Sequence, residues 1–282
     1  MIAAFVWDPD RILFKIPFIH YPITWYGCFF ALGFMVGYLI VRHIFTEVFK
    51  KEDVTNPREE ATLLVDRFAV VAAFSAVVGA RLGYVFFYGW PYYRENLLDI
   101  FKVWQGGLAS HGAALMVLLG IVYFVRRQRK RFKQLSFFVL LDAFVIATAF
   151  AAGCIRLGNF MNQEITGIPT TMPWGVKFLH PMDNVPGISL HPVQLYESLF
   201  YFFLSGVLYL IWRIRGKELG SGFLSGCFFL ALFSFRFLIE FFKTHQGELL
   251  SSDFPLRMGQ LLSIPFMILG LALLLRRRFA KA

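Results

Sequence analysis

The run Ile23-Thr-Trp-Tyr-Gly-Cys-Phe-Phe-Ala-Leu-Gly-Phe-Met-Val-Gly-Tyr-Leu-Ile-Val41 contains no charged residue. A helix needs about 20 such residues to cross the hydrocarbon core of a bilayer. The run is continuously apolar rather than alternating, so it does not read as a strand of a membrane barrel. Comparable blocks recur at roughly 68–88, 107–125, 135–153, 193–212, 221–243 and 259–275. The expected fold is therefore all-α, a polytopic membrane protein with seven transmembrane helices. The second block has the weakest boundary, because Asp66, Arg67 and Arg81 interrupt it.

Composition agrees with the blocks: 57% of the residues are hydrophobic and 18% aromatic, so a soluble domain is excluded. The basic residues fix an orientation. Arg42, Lys50, Lys51 and Arg58 follow the first span; Arg126, Arg127, Arg129, Lys130, Arg131 and Lys133 the third; Arg213, Arg215 and Lys217 the fifth; Arg276, Arg277, Arg278 and Lys281 the seventh. The opposite segments carry fewer. This places the N-terminus outside and the C-terminus in the cytoplasm. The same bias accounts for the net charge of +10, and no nucleic-acid partner is expected. The basic loop 126–133 could also attract anionic lipid heads. Residues 1–22 read as an interfacial arm without a removable signal peptide, since Asp8, Asp10 and Arg11 precede any apolar run. Residues 23–282 form the seven-helix domain. Its outer segment at about 154–192, with five prolines from Pro169 to Pro192, reads as a small extracytoplasmic cap.

Cys28, Cys154 and Cys227 fit neither a metal site nor a disulfide framework and read as small core residues. No metal or cofactor is expected. Polar residues do gather towards the outer ends of the spans. Tyr26 opens the first span and His111 the third; Arg156, Asn159, Asn162 and Glu164 follow the fourth; His191, Gln194, Tyr196 and Glu197 open the fifth; Arg236 and Glu240 lie in the sixth. An arginine beside membrane-quality sequence is costly and needs a partner. A phosphate fits, because the guanidinium fork can bind two of its oxygens. A helix-end arginine that snorkels to the interface is the plainer alternative for Arg156. Arg236 and Glu240 are four apart, share a helix face and can pair. That pair, a core role for His111, and a helix start at Pro192 are equally available structural readings. Asp66, Arg81 and Asp142 read as structural. Taken together, two arginines and a histidine at one depth suit an anionic lipid head group.

Several motifs resemble those of the bacterial prolipoprotein diacylglyceryl transferases. They are Trp25-Tyr26-Gly27, Gly107-Leu-Ala-Ser-His111-Gly112, Arg156-Leu-Gly-Asn-Phe-Met-Asn-Gln-Glu164 with Gly167, His191-Pro-Val-Gln-Leu-Tyr-Glu197, Phe235-Arg236-Phe-Leu-Ile-Glu240, and Met258-Gly-Gln-Leu-Leu-Ser-Ile-Pro265. They stand in the family's order and cover nearly the whole chain. The resemblance implies transfer of the diacylglyceryl group of phosphatidylglycerol to the lipobox cysteine of a prolipoprotein signal peptide. A thioether forms and glycerol phosphate leaves, at the extracytoplasmic side of the bacterial inner membrane. It also implies roles. His111 would be the base that forms the thiolate. Arg156 would hold the phosphate, and Arg236 would stabilise charge on the leaving group. Glu240 would orient Arg236, while Tyr26, Asn159, Glu164 and Gly167 would belong to the head-group site. The chain departs from the family pattern at Ile155 and Ala113, where glycine is usual, and at Leu232, where a functional tyrosine is expected. A transporter or lipid carrier with an anionic head-group site, and a non-catalytic scaffold, are the rival readings.

Overall fold

The computed structural model describes residues 5–18, 20–216, 219–244 and 256–279, with side chains to Arg276 in the last of these. Lys217, Lys281 and the side chains of Arg277 and Arg278, used above for orientation, lie outside the described residues. The helices are α1 (Trp25–Lys51), α2 (Pro57–Phe87), α3 (Trp90–Tyr93), α4 (Ser110–Gln128), α5 (Phe137–Asn162), α6 (Val193–Ile214), α7 (Phe223–Ile239) and α8 (Met258–Phe279). All but the single-turn α3 are long and apolar enough to cross a membrane, α7 together with the 3-10 turn Glu240–Phe242 that continues it, so the chain is a seven-span helical membrane protein. The strands are short: β1 (Phe5–Trp7), β2 (Ile12–Lys15), β3 (Pro22–Thr24), β4 (Val176–Phe178) and β5 (Ser189–Leu190). Local chemistry marks the helix ends. Pro57 opens α2, where a missing N–H costs nothing, and Glu59 and Glu60 in its first turn complement the helix dipole. Lys50 and Lys51 do the same at the end of α1.

The chain forms two compact units, Met1–Ile40 with Asp142–Ala282, and Val41–Leu141. In the second, α2 packs along α4 through glycine. Gly79 and Gly83 stand one turn apart on α2, a small-xxx-small pattern that lets backbones approach. A Cβ on Gly83 would lie 2.8 Å from the Gly112 Cα, and one on Gly112 would lie 2.7 Å from the Gly83 Cα. The glycine after His111 is thus required by a helix crossing. A Gly112→Val substitution should cost about 3 kcal/mol, since neither backbone can yield. Thermal unfolding of the purified protein in detergent measures this, with Gly112→Ala falling between valine and wild type.

Arg81 is buried in α2 and makes no close ion pair among the described residues, although its charge acts on the Asp99 carboxyl. Its guanidinium donates instead to the carbonyls of Ile100 (2.8 Å), Gly106 (2.6 Å) and Asp99 (2.5 Å), over the Tyr93 ring. One charge thereby satisfies the carbonyls of the irregular segment that leads into α4. Gly106 and Gly107 turn that segment with φ of 84° and 66°.

In the first unit, the Asp142 carboxyl accepts from the N–H groups of Gly220 (2.9 Å), Gly222 (3.0 Å) and Ser225 (2.9 Å), and from the Ser225 hydroxyl (2.6 Å). These are the orphan donors that precede and open α7. At the other end of α5, β1 runs parallel to β4, and β4 pairs antiparallel with β5. Trp7 lies against Phe160, ring centroids 4.6 Å apart, and donates to its carbonyl. Phe160, Val176, Phe178 and Leu190 form the small core beneath. The fourth span was expected to end near residue 153, but α5 continues to Asn162. Arg156 and Asn159 therefore lie on its last two turns, and the irregular cap segment begins after them. The polar side chains satisfy one another there, so the helix does not have to stop where hydropathy falls.

Candidate active site

Arg156 and Asn159 are three apart on α5 and share a face. The Arg156 Nη1 donates to Asn159 Oδ1 at 3.2 Å. Asn159 in turn donates to Glu164 Oε1 at 2.7 Å, and Asn162 reaches the same oxygen at 3.3 Å. Glu164 is held at an unusual backbone: its neighbours Gln163 and Ile165 have φ of 54° and 57°. The left-handed region is costly for a β-branched residue, about 1–3 kcal/mol. Surrounding contacts hold the turn. Gln163 Oε1 accepts from the His180 N–H at 2.7 Å, and Thr166 binds Asp183 through both its N–H and its hydroxyl at 2.9 Å. Gln194, buried on α6, donates to the Glu164 carbonyl at 2.8 Å.

The other edge of Arg156 meets α6. Its Nε lies 3.1 Å from Glu197 Oε2, an ion pair out of line for a hydrogen bond. Glu197 is fully buried. Its Oε1 takes the Lys243 ammonium at 3.0 Å and the Tyr201 hydroxyl at 3.2 Å. Lys243 also faces Glu240 Oε2 at 3.6 Å. Burial is the largest influence on Lys243 and lowers its ammonium below the usual range; Glu197 opposes this and Arg156 adds to it. Arg257, just before α8, donates to the carbonyls of Glu240 (2.5 Å) and Lys243 (2.6 Å) and fixes the end of this segment.

Arg236 acts electrostatically on both Glu197 and Lys243, and carries no ion pair among the described residues. The expected Arg236–Glu240 pair is not formed. Glu240 begins a 3-10 turn (Glu240–Phe242), in which residues three apart eclipse, so its carboxylate swings towards Lys243. It lies over Gly259 of α8, where a Cβ would come 2.6 Å from its carboxyl carbon. Tyr26 packs on Gly158, whose Cβ would meet its ring at 2.7 Å, and both Glu164 and Arg156 act on its hydroxyl. Gly167 is enclosed by backbone: its N–H donates to the His191 carbonyl at 3.1 Å, and it bridges to Lys243. Its lack of a side chain lets three chain segments meet. Burial lowers the His191 imidazole below its ordinary range, and its Nδ1 lies 3.2 Å from the Tyr196 hydroxyl.

One unit thus brings together Tyr26, Arg156, Asn159, Glu164, Arg236 and Glu240. The model of the family described as prolipoprotein diacylglyceryl transferase matches residues 11–276. The chain belongs to that family. Relatives named phosphatidylglycerol–prolipoprotein diacylglyceryl transferase extend over nearly its full length. That of Chloroherpeton thalassium is 42% identical over 272 residues, 95% of this chain and 92% of that protein. That of Tolumonas auensis is 38% identical over 98% of both, and that of Chlamydia pneumoniae 38% over 97% and 96%.

Two further residues bear on the pattern of the prolipoprotein diacylglyceryl transferase family. Leu232, the departure one turn before Arg236, is buried. The phenol close to this part of α7 comes instead from α6: the Tyr201 ring lies 6.4 Å from that of Phe235. His111 stands in the other unit, on the first turn of α4, edge-on to Phe87 (5.2 Å) and beside Tyr88 (5.7 Å). Sequence reading missed the parts of Glu197, Tyr201, Lys243 and Arg257. Spacing held the signal for three of them: Arg236, Glu240 and Lys243 are four and three apart, and Glu197 and Tyr201 four apart.

Proposed function

We propose that this protein transfers the diacylglyceryl group of phosphatidylglycerol to the lipobox cysteine of a prolipoprotein. The cysteine sulfur attacks the glyceryl carbon that bears the phosphate. The carbon–oxygen bond breaks with its electrons on oxygen, a thioether forms, and glycerol phosphate departs. The observation that carries this reading is the cationic cluster of partly buried Arg156 and Arg236 and buried Lys243 around the enclosed carboxylate of Glu197. Fixed cations in a low-dielectric site stabilise charge that grows on a leaving phosphate, and need no reorganisation as it does so.

In this scheme Arg156 grips the phosphate, held by Asn159 and Glu164. Arg236, without an ion pair of its own among the described residues, receives the charge of the departing group. Tyr26 completes the wall beside Arg156. Glu240 steadies Lys243 and the end of α7, rather than Arg236. His111 accepts the thiol proton; a thiol with pKa of about 8.5 is mostly protonated at neutral pH, so a neighbouring base accelerates attack. The protein acts in the bacterial inner membrane with its N-terminus outside, and the site faces the extracytoplasmic leaflet, where both lipid-borne substrates meet it.

Purified protein incubated with phosphatidylglycerol and a lipobox peptide should yield thioether-linked diacylglyceryl peptide and equimolar glycerol phosphate. A carrier of anionic lipid would yield neither. His111→Asn should lower turnover near neutral pH by about 10²-fold or more, with partial recovery as the pH rises and the thiol ionises unaided. Full activity of that variant at neutral pH would remove His111 as the base.

A further inference from the structure

Glu197 stands outside the roles assigned above, yet three elements converge on it. It lies on α6, Arg156 on α5, and Lys243 directly after α7 and its closing turn. A fully buried carboxylate is expensive unless it is paired and hydrogen-bonded on both oxygens. Here the pairing is divided. Oε2 faces the Nε edge of Arg156 at 3.1 Å, while Oε1 takes Lys243 at 3.0 Å and Tyr201 at 3.2 Å. We propose that Glu197 is the positioning residue of Arg156: it fixes the guanidinium by one edge, while Lys243 keeps it from neutralising that guanidinium. The inference rests on the reaction proposed above and deepens it.

The geometry separates holding from neutralising. A bidentate carboxylate would occupy the fork that phosphate needs. Glu197 touches only Nε and Asn159 takes only Nη1, so neither forms the bidentate pair that would occupy the fork; the Tyr201 hydroxyl also interacts with the guanidinium. Asn159 is itself anchored by Glu164 at 2.7 Å, so the guanidinium is fixed from both ends. Glu197 is completely enclosed, so it acts on the lipid through Arg156 and not by contact.

The test separates the Michaelis constants of the two substrates. Glu197→Gln should raise the KM for phosphatidylglycerol about ten-fold or more, with the KM for the lipobox peptide unchanged, because only the lipid's anchor is displaced. Lys243→Met should raise the same constant, since Glu197 then neutralises Arg156, and Lys243→Arg should restore it to within about three-fold. In an Arg156→Lys background, adding Glu197→Gln should change the phosphatidylglycerol KM less than about two-fold, because the two act in one unit. An unchanged phosphatidylglycerol KM in Glu197→Gln, or effects that simply add to those of Arg156→Lys, would overturn the proposal. Should Glu197→Gln not fold, the Lys243 pair carries the same comparison; if Lys243→Met also fails to fold, the cluster is structural and the proposal is wrong. Wild-type protein that forms no thioether sinks the proposed reaction and this inference together. Wild-type turnover with unaffected variants sinks the inference alone.

Discussion

Arg156→Ala protein should insert, fold and lose turnover of phosphatidylglycerol by about 10³-fold, the usual scale for removing one preorganised stabiliser of developing charge. The loss equals about 4 kcal/mol of transition-state stabilisation. Folding should survive because Glu197 is not abandoned: Lys243 and Tyr201 still satisfy its other oxygen at 3.0 and 3.2 Å. A buried carboxylate stripped of every partner would unfold the protein; one that retains an ammonium and a phenol does not. Arg156→Lys should recover little. A lysine ammonium is a point charge that cannot hold Glu197, Asn159 and a phosphate in one plane. Release of glycerol phosphate, measured beside thermal unfolding in detergent, separates the two quantities. A folded Arg156→Ala protein with near wild-type turnover would refute the phosphate-binding role.

The largest structural effect is expected at Asp142, remote in sequence from the site residues of α6 and α7. Its carboxyl gathers three backbone N–H groups and a hydroxyl at the start of α7. Alanine there leaves buried donors without acceptors, each worth about 1–3 kcal/mol, so the sum should exceed about 3 kcal/mol. Asp142→Asn keeps one acceptor oxygen, while its amide opposes the donors of the other, so an intermediate loss is expected. Asp142→Ala should therefore lower the unfolding temperature and the yield of folded protein more than the asparagine variant. Its phosphatidylglycerol KM, measured on the folded fraction, should stay near wild type. Equal stability of Asp142→Ala and wild type would show that water reaches this helix start.

Much of the candidate site was legible as single residues but not as contacts. Arg156, Asn159 and Glu164 stand out because they are polar where the chain is otherwise apolar, and the price of burying them demands an explanation. Their mutual arrangement was not legible, because the chain alone did not show that α5 runs on to Asn162. Arg236 and Glu240 mislead for a related reason. The i, i+4 rule assumes an α-helix, and the last turn of α7 tightens to 3-10 geometry at Glu240. Arg81 illustrates the converse: a buried cation suggests a carboxylate, whereas four backbone carbonyls, of a 3-10 turn and of the glycine pair before α4, supply the acceptors.

The seven spans follow from the sequence alone, because the bilayer's thickness and the absence of water within it leave a continuous apolar run of this length only one backbone solution. Electrostatic partnership did not follow. Glu197 and Lys243 are 46 residues apart, and each reads alone as a helix-end charge. Only the packing of α6 against the end of α7 places both in one water-excluded pocket, where a charge must choose its partner within a few ångströms. The chain's hydropathy fixed which segments leave water; the tertiary structure decided which of their charges meet.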